Sequence, residues 1–229
     1  MSKLYHYPLD PFCRRIRISV AEFGNDELEL IEERPWDGRI EFLKMNPTGL
    51  VPVMVADDGT VAAGIEAVEG YLEDTRDENT ASQFGASLAE RAETRRLVAW
   101  FDGKFHHDVS APLLIEKVVR RFVPREAGGG APNMNNVRAA LERIRPHLEY
   151  IGTLTQDRNW IAGEEISAAD FAAAAHLSVL DYLGDVPWSS NKQAKAWYQR
   201  IKSRPSFRSL LTDKIQGMPP PRIYADLDF

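Results

Sequence analysis

Cys13 is the side chain of this sequence with the most reactive chemistry open to it. It is the only cysteine among 229 residues, and it follows Asp10-Pro11-Phe12 where the sequence predicts the start of a helix. In a first turn the helix macrodipole lowers a thiol pKa, and Arg14 and Arg15 add positive charge nearby. Such a thiol suits redox or thiol-transfer chemistry, although no second cysteine is present to resolve a disulfide. Tyr5 and Tyr7 alternate on a short strand and point to one face, as hydroxyl donors to a ligand or as core aromatics, the core reading being the weightier. His106 and His107 are neighbours on a helix and diverge by roughly 100°. The i, i+4 pair Asp102 and His106 reads as structural, so no metal site is expected.

These groups need elements to position them. Lys3 to Tyr7 reads as a strand ended by Pro8. Pro11 to Phe23 reads as a helix, because Phe12, Ile16, Val20 and Phe23 recur at helical spacing, and Gly24 and Asn25 stop it. Asp10 is a good N-cap, with Pro11 at the first helical position. Leu28 to Glu32 alternates as a second strand, and Arg39 to Met45 suggests a short helix. Val51 to Val55 and Thr60 to Ala62 flank Asp57-Asp58-Gly59, a hairpin signal. Another helix begins at Glu66 and runs to Glu73. Thr75 to Gly85 is polar and aperiodic and reads as a linker.

Only helices are predicted beyond it: Ala86 to Val119, then about Asn135 to Tyr150 with Pro146 kinking it, Ala168 to Tyr182, Gln193 to Ile201 and Phe207 to Leu211. The run Ala127 to Pro132, with three glycines, is a flexible break. Ser167-Ala168-Ala169-Asp170 is a capping box, and Ile166 with Phe171 a hydrophobic staple. The expected domains are 1–75, 86–216 and a tail, 217–229.

Composition narrows the function classes. Hydrophobic residues make up 44% and charged residues 27%, ordinary for a globular protein. The formal net charge of −6 argues against a nucleic-acid partner, which favours a basic face. No long apolar run follows Ser2-Lys3, and no segment approaches the ~20 apolar residues of a membrane helix. A cytoplasmic protein with neither membrane nor nucleic-acid partner is expected.

The most telling stretch is Gly64-Ile65-Glu66-Ala67-Val68-Glu69-Gly70-Tyr71-Leu72 after Gly49-Leu50-Val51-Pro52-Val53. Together with the Ser167 box, the pair resembles the glutathione transferase family, over about Lys3 to Leu211. The resemblance implies a thioredoxin-like α/β N-terminal domain, an all-α C-terminal domain and a cis Val51–Pro52 bond. It also places the glutathione grip, an acidic residue followed by Ser, at Gly64 and Ile65, where neither type stands. The nucleophile position of the family falls on Asp10, a carboxylate that repels a thiolate, and Cys13 lies three residues beyond it. Asp10, Val51, Pro52, Gly64 and Ile65 therefore form a degenerate glutathione site, with no catalytic residue and no cofactor.

Two features have no role in a transferase. Trp36, in Arg34-Pro35-Trp36-Asp37-Gly38, is either exposed as an interaction anchor or covers the cleft. The tail, Gly217 to Phe229, has three prolines and then keeps Ile223, Tyr224, Leu227 and Phe229, so it docks on its own domain, on a partner, or on both. With the start Leu4 to Leu9, this combination resembles a non-enzymatic branch of the family that binds the tubulin-like division protein FtsZ. That resemblance implies a homodimer at the division site, with Trp36, Tyr224, Asp226, Leu227, Asp228 and Phe229 on the FtsZ-binding surface. Leu97, Trp100, Phe101 and Phe105, too many for one buried stripe, are the expected dimer face. The rivals are a glutathione-dependent transferase or thiol-transfer enzyme using Cys13 or a Tyr, and a regulator that contacts RNA polymerase with the same fold.

Overall fold

The computed structural model describes residues 1–24 and 28–229; Asn25 of the expected helix stop lies outside the described residues. Four strands form one sheet in the order β2-β1-β3-β4. β1 (Lys3–His6) pairs in parallel with β2 (Glu29–Glu32) and antiparallel with β3 (Val53–Val55), which turns through Gly59 into β4 (Val61–Ala63). Three helices pack on the sheet: α1 (Pro11–Phe23), α2 (Ile40–Met45) and α3 (Ile65–Asp74). Asp10 caps α1 as expected, accepting the Cys13 backbone N–H at 2.8 Å, with Pro11 at the first position. The expected α/β half is therefore present, with Tyr7 falling just past the first strand.

The second half is helical. Ser87 and Glu90 form a capping box at the start of α4 (Leu88–Ala99). The chain then winds wider through Trp100–Ser110, tightens in α5 (Ala111–Leu114), widens again over Ile115–Val119 and ends in α6 (Arg120–Phe122). In the wide stretches the backbone bonds span five residues, as Ala111 N–H to the His106 carbonyl does. This winding corrects the expected dimer face at Leu97, Phe101 and Phe105, while Trp100 is only half-buried, packed on Tyr150. Leu97, Phe101, Phe105, Val109 and Leu113 are all fully buried in the main core. A four-residue repeat drifts around a 3.6-residue helix, and the wider turns cancel that drift, so one stripe holds them all.

α7 (Met134–Leu154) carries Pro146 in its interior and runs four residues past the expected end. α8 (Ala168–Tyr182) has the expected bounds and is buried along its whole length, the spine of the domain. Asp170 begins it, accepting the backbone N–H of Ser167 and of Ile161 and the indole N–H of Trp197. α9 (Lys192–Lys202) and α10 (Arg208–Leu211) complete the layer. In the break after α6, a Cβ on Gly129 would stand 1.9 Å from the Val123 carbonyl oxygen, so only glycine fits that close approach.

Candidate functional site

Tyr7, Asp10, Trp36, Leu50 and Val51 of the α/β half face Leu114 and Val118 of the helical half across a cavity of about 470 Å³. The Val51–Pro52 bond is cis. The Gly64 N–H donates to the Pro52 carbonyl at 2.9 Å, which fixes the start of α3 beside that turn. Gly64 is the N-cap at φ 89° and supplies no side-chain cap, while Ile65 packs against the Leu4–Val68 cluster. Positions 64 and 65 therefore offer backbone N–H groups and no side-chain oxygen, and the first turn carries its acid one residue later, at Glu66. That Gly64 and Ile65 carry no side-chain oxygen was legible from residue identity alone.

Burial sets the environment of the reactive candidates. Cys13 has no exposed surface, and burial with the neighbouring Asp10 carboxyl holds its thiol well above the usual range. The helix-start effect read from the sequence is outweighed, because a thiolate is disfavoured most where water is absent. Burial also pushes Asp10 up to about 6. Tyr7 is 5% exposed, its phenol is pushed up by burial, and its hydroxyl has no hydrogen-bond partner. Tyr5 packs on Phe42 with ring centroids 6.0 Å apart.

Trp36 lines the cleft and is half-buried. It sits in a single tight turn, Pro35–Asp37, edge-on to Tyr7 at 4.9 Å and stacked on Phe122 at 6.0 Å with the rings 5° from parallel. It bridges the two halves and closes one end of the cleft, with part of its surface still exposed.

Three arginines of α1 build a network that the sequence reading took only as charge near Cys13. Arg15 is 1% exposed and is clamped between Glu69 of α3 and Asp102 of the long helical run. Asp102 faces His176 at 3.4 Å, and the other ring nitrogen of His176 lies 2.8 Å from the Ser110 hydroxyl. Asp102 thus pairs with Arg15 and His176, while His106 packs against Phe12 and His176 through ring contacts. Ser110, His176 and Asp102 line up like a nucleophile with its base and orienting acid, but Ser110 has no exposed surface for a substrate to reach. Arg14 and Arg17 meet Asp213 at 3.2 and 2.9 Å. The only sequence signal was the density of charge on an otherwise apolar helix, Arg14-Arg15-Ile16-Arg17.

The tail is divided by exposure. Tyr224 is fully buried and Phe229 is 9% exposed, which corrects their placement on a partner surface. Tyr224 lies edge-on to Tyr182 at 5.1 Å, and Phe229 packs on Trp188 at 5.2 Å and on Tyr198 at 6.0 Å. The Lys202 ammonium lies 4.1 Å from the Phe229 ring centre and 3.1 Å from Asp181. Their aromatic surface is used to fasten the segment. Asp226, Leu227 and Asp228, between these two pins, stay exposed.

The family models for the glutathione S-transferase N-terminal domain and C-terminal domain match residues 11–75 and 111–205. FtsZ-localized protein A of Caulobacter vibrioides is 43% identical, over 99% of this chain and 97% of that protein. The crystal structure of a glutathione S-transferase from Rhodospirillum rubrum F11 superposes with a TM-score of 0.94 at 46% identity, covering all of both chains. The structure of FzlA from C. crescentus superposes at 0.91 with 42% identity, over all of this chain and 99% of that one. With both domain models matched and a relative 43% identical over nearly its whole length, the chain belongs to the glutathione S-transferase superfamily.

Proposed function

We propose that this protein is a non-enzymatic division regulator that binds FtsZ filaments as a homodimer in the cytoplasm and promotes constriction at the division site. The observation that carries the reading is the cleft: Gly64 and Ile65 stand where a glutathione-binding chain needs an acid and a hydroxyl, and Cys13 is sealed in the core. A relative named for its localisation to FtsZ supports the partner. In this reading, residues 1–75 and 86–216 are the scaffold and residues 217–229 are the partner-facing strap. Asp226, Leu227 and Asp228 make the contact, Tyr224 and Phe229 hold them in place, and the exposed edge of Trp36 extends the surface.

Homodimerisation gives two copies of that surface, and two tethered sites link filaments by avidity without a catalytic step. Apolar side chains left exposed on both halves, Leu50 at 62% and Leu88 at 84%, suit a covering subunit. The net charge of −6 opposes a nucleic-acid partner, and among the described residues no helix is long and apolar enough to cross a membrane. The runner-up, a glutathione-dependent enzyme, now rests on Tyr7, whose unpartnered hydroxyl stands at the cleft.

Co-pelleting with polymerised FtsZ tests the reading. Saturable co-pelleting is expected with the intact chain, and none with FtsZ held unpolymerised. Absence of co-pelleting together with measurable glutathione conjugation would transfer the assignment to the enzyme.

A further inference from the structure

From Val186 to Thr212 the chain carries six cations and no aspartate or glutamate, in a protein of net charge −6. Two of the six are neutralised within the fold, Lys202 by Asp181 and Arg204 by Glu22. Among the described residues, Lys192, Lys195 and Arg200 have no carboxylate partner. Lys192, Ala196 and Arg200 recur at i, i+4 and i+8, so they share one line along α9. Lys192, Ala196 and Arg200 are all exposed, with the small side chain leaving room between two cations.

Beside that line runs a groove of about 700 Å³, far from the transferase cleft and sharing none of its residues. Trp160, Gln193, Ala196 and Arg200 line it, and the tail supplies Leu227 and Asp228. Trp160 is half-buried, and the guanidinium of Arg200 lies 5.4 Å from its ring centre. One Arg200 nitrogen is anchored on the Asn159 carbonyl at 2.6 Å. A guanidinium has five N–H donors, so the anchored Arg200 keeps donors free in a fixed orientation. The groove thus combines a pre-positioned cation, an aromatic ring, an aliphatic side chain and the Gln193 amide.

We propose that this groove docks an extended acidic peptide segment of a partner protein, which seats a carboxylate on Arg200 and an apolar side chain against Trp160 and Leu227. A peptide fits better than a nucleic acid. The Asp228 carboxylate on the same rim repels a continuous phosphate backbone, whereas a peptide can place an uncharged residue there. The concave shape also differs from the flat basic face that a membrane surface requires. The groove shares Leu227 and Asp228 with the surface proposed for FtsZ, but its chemistry holds whichever protein brings the segment. The test therefore uses a synthetic peptide, and it can fail or succeed independently of FtsZ co-pelleting.

The probe is a fluorescein-labelled peptide, Glu-Glu-Leu-Glu-Phe-Glu-Glu, titrated with the full chain and followed by anisotropy. It should bind about tenfold tighter than its Gln-for-Glu counterpart. Lys192→Glu with Arg200→Glu, both at exposed positions, should weaken it at least about tenfold, with the folded state retained as read by circular dichroism. Arg138→Glu, an exposed cation on α7, should leave binding as it is. The proposal is overturned if the Glu and Gln peptides bind alike or if the double variant binds like the parent. It is equally overturned if Arg138→Glu is as damaging, which marks diffuse attraction, or if a labelled thymidine oligonucleotide binds tighter than the peptide.

Discussion

Arg14 of the first helix donates to the Tyr224 hydroxyl at 3.1 Å, across 210 residues of sequence. The same guanidinium donates to the Pro8 carbonyl at 2.6 Å and to the Ser178 hydroxyl at 2.9 Å. The Tyr224 hydroxyl in turn donates to the Leu210 carbonyl at 2.9 Å. One buried cation therefore joins the turn beside the cleft, the spine helix and the C-terminal strap.

Tyr224→Phe removes both hydroxyl bonds while keeping the ring. The buried Arg14 loses an acceptor, so a loss of about 1–3 kcal/mol is expected. The urea midpoint should fall with the slope unchanged. A midpoint equal to that of the parent would show that water replaces the hydroxyl.

Asp228→Lys and Phe229→Ala should separate binding from stability. Asp228 is exposed, so its reversal should leave the melting temperature nearly fixed while FtsZ co-pelleting falls. Phe229 is packed on Trp188 and Lys202, and its truncation should cost about 3 kcal/mol and lower the melting temperature. Unchanged co-pelleting after Asp228→Lys would remove the strap from the binding surface.

Glutathione should bind very weakly or not at all. Each charge-assisted bond of the missing grip is worth roughly 1.5–3 kcal/mol, and Ile65 offers none. Only backbone N–H groups remain to attract the carboxylate. Calorimetry at millimolar glutathione should give no resolved heat, and a dissociation constant in the low micromolar range would contradict the degenerate site.

Stability should fall on acidification from pH 7 to pH 5. Burial lowers His6, His106 and His147 to about 4 and lowers His176 as well. Between the unfolded value of about 6.5 and these folded values, the unfolded chain binds protons that the folded chain does not, so acid favours unfolding. Burial raises Asp10 and Asp170 to about 6. Those two carboxyls act with the opposite sign, being stabilised by the proton and losing that contribution as pH rises through 6. Burial raises Glu69, Asp181 and Asp185 too, with the same sign. The histidines act over the whole range below about 6.5 and the carboxyls only nearer their folded values, so the urea midpoint should decline; a rise on acidification would mean that the carboxyls dominate.

Sedimentation equilibrium at micromolar concentration should return the mass of a dimer. A two-fold pair lets one patch serve both chains. A monomer throughout that range would leave Leu50 and Leu88 uncovered and refute the dimer.

Local rules carried much of this molecule. Asp10 and Pro11 cap a helix because the cap needs only its own next three residues, and Ser167 with Asp170 does the same for α8. That Gly64 and Ile65 offer no side-chain oxygen was equally readable, since residue type fixes it whatever surrounds them. Burial was not readable, because it depends on what the rest of the chain brings. Cys13 reads as an activated thiol in a helix start and is a fully buried core thiol in the fold. Leu97, Phe101 and Phe105 read as a surplus stripe, and a widened helix turned them all inward. Periodicity tells which residues share a face, but not whether the same chain covers it. Arg14 and Tyr224 are the limiting case: each is ordinary in its own segment, and only the tertiary fold, by excluding water from both, makes their hydrogen bond a fixture of the structure.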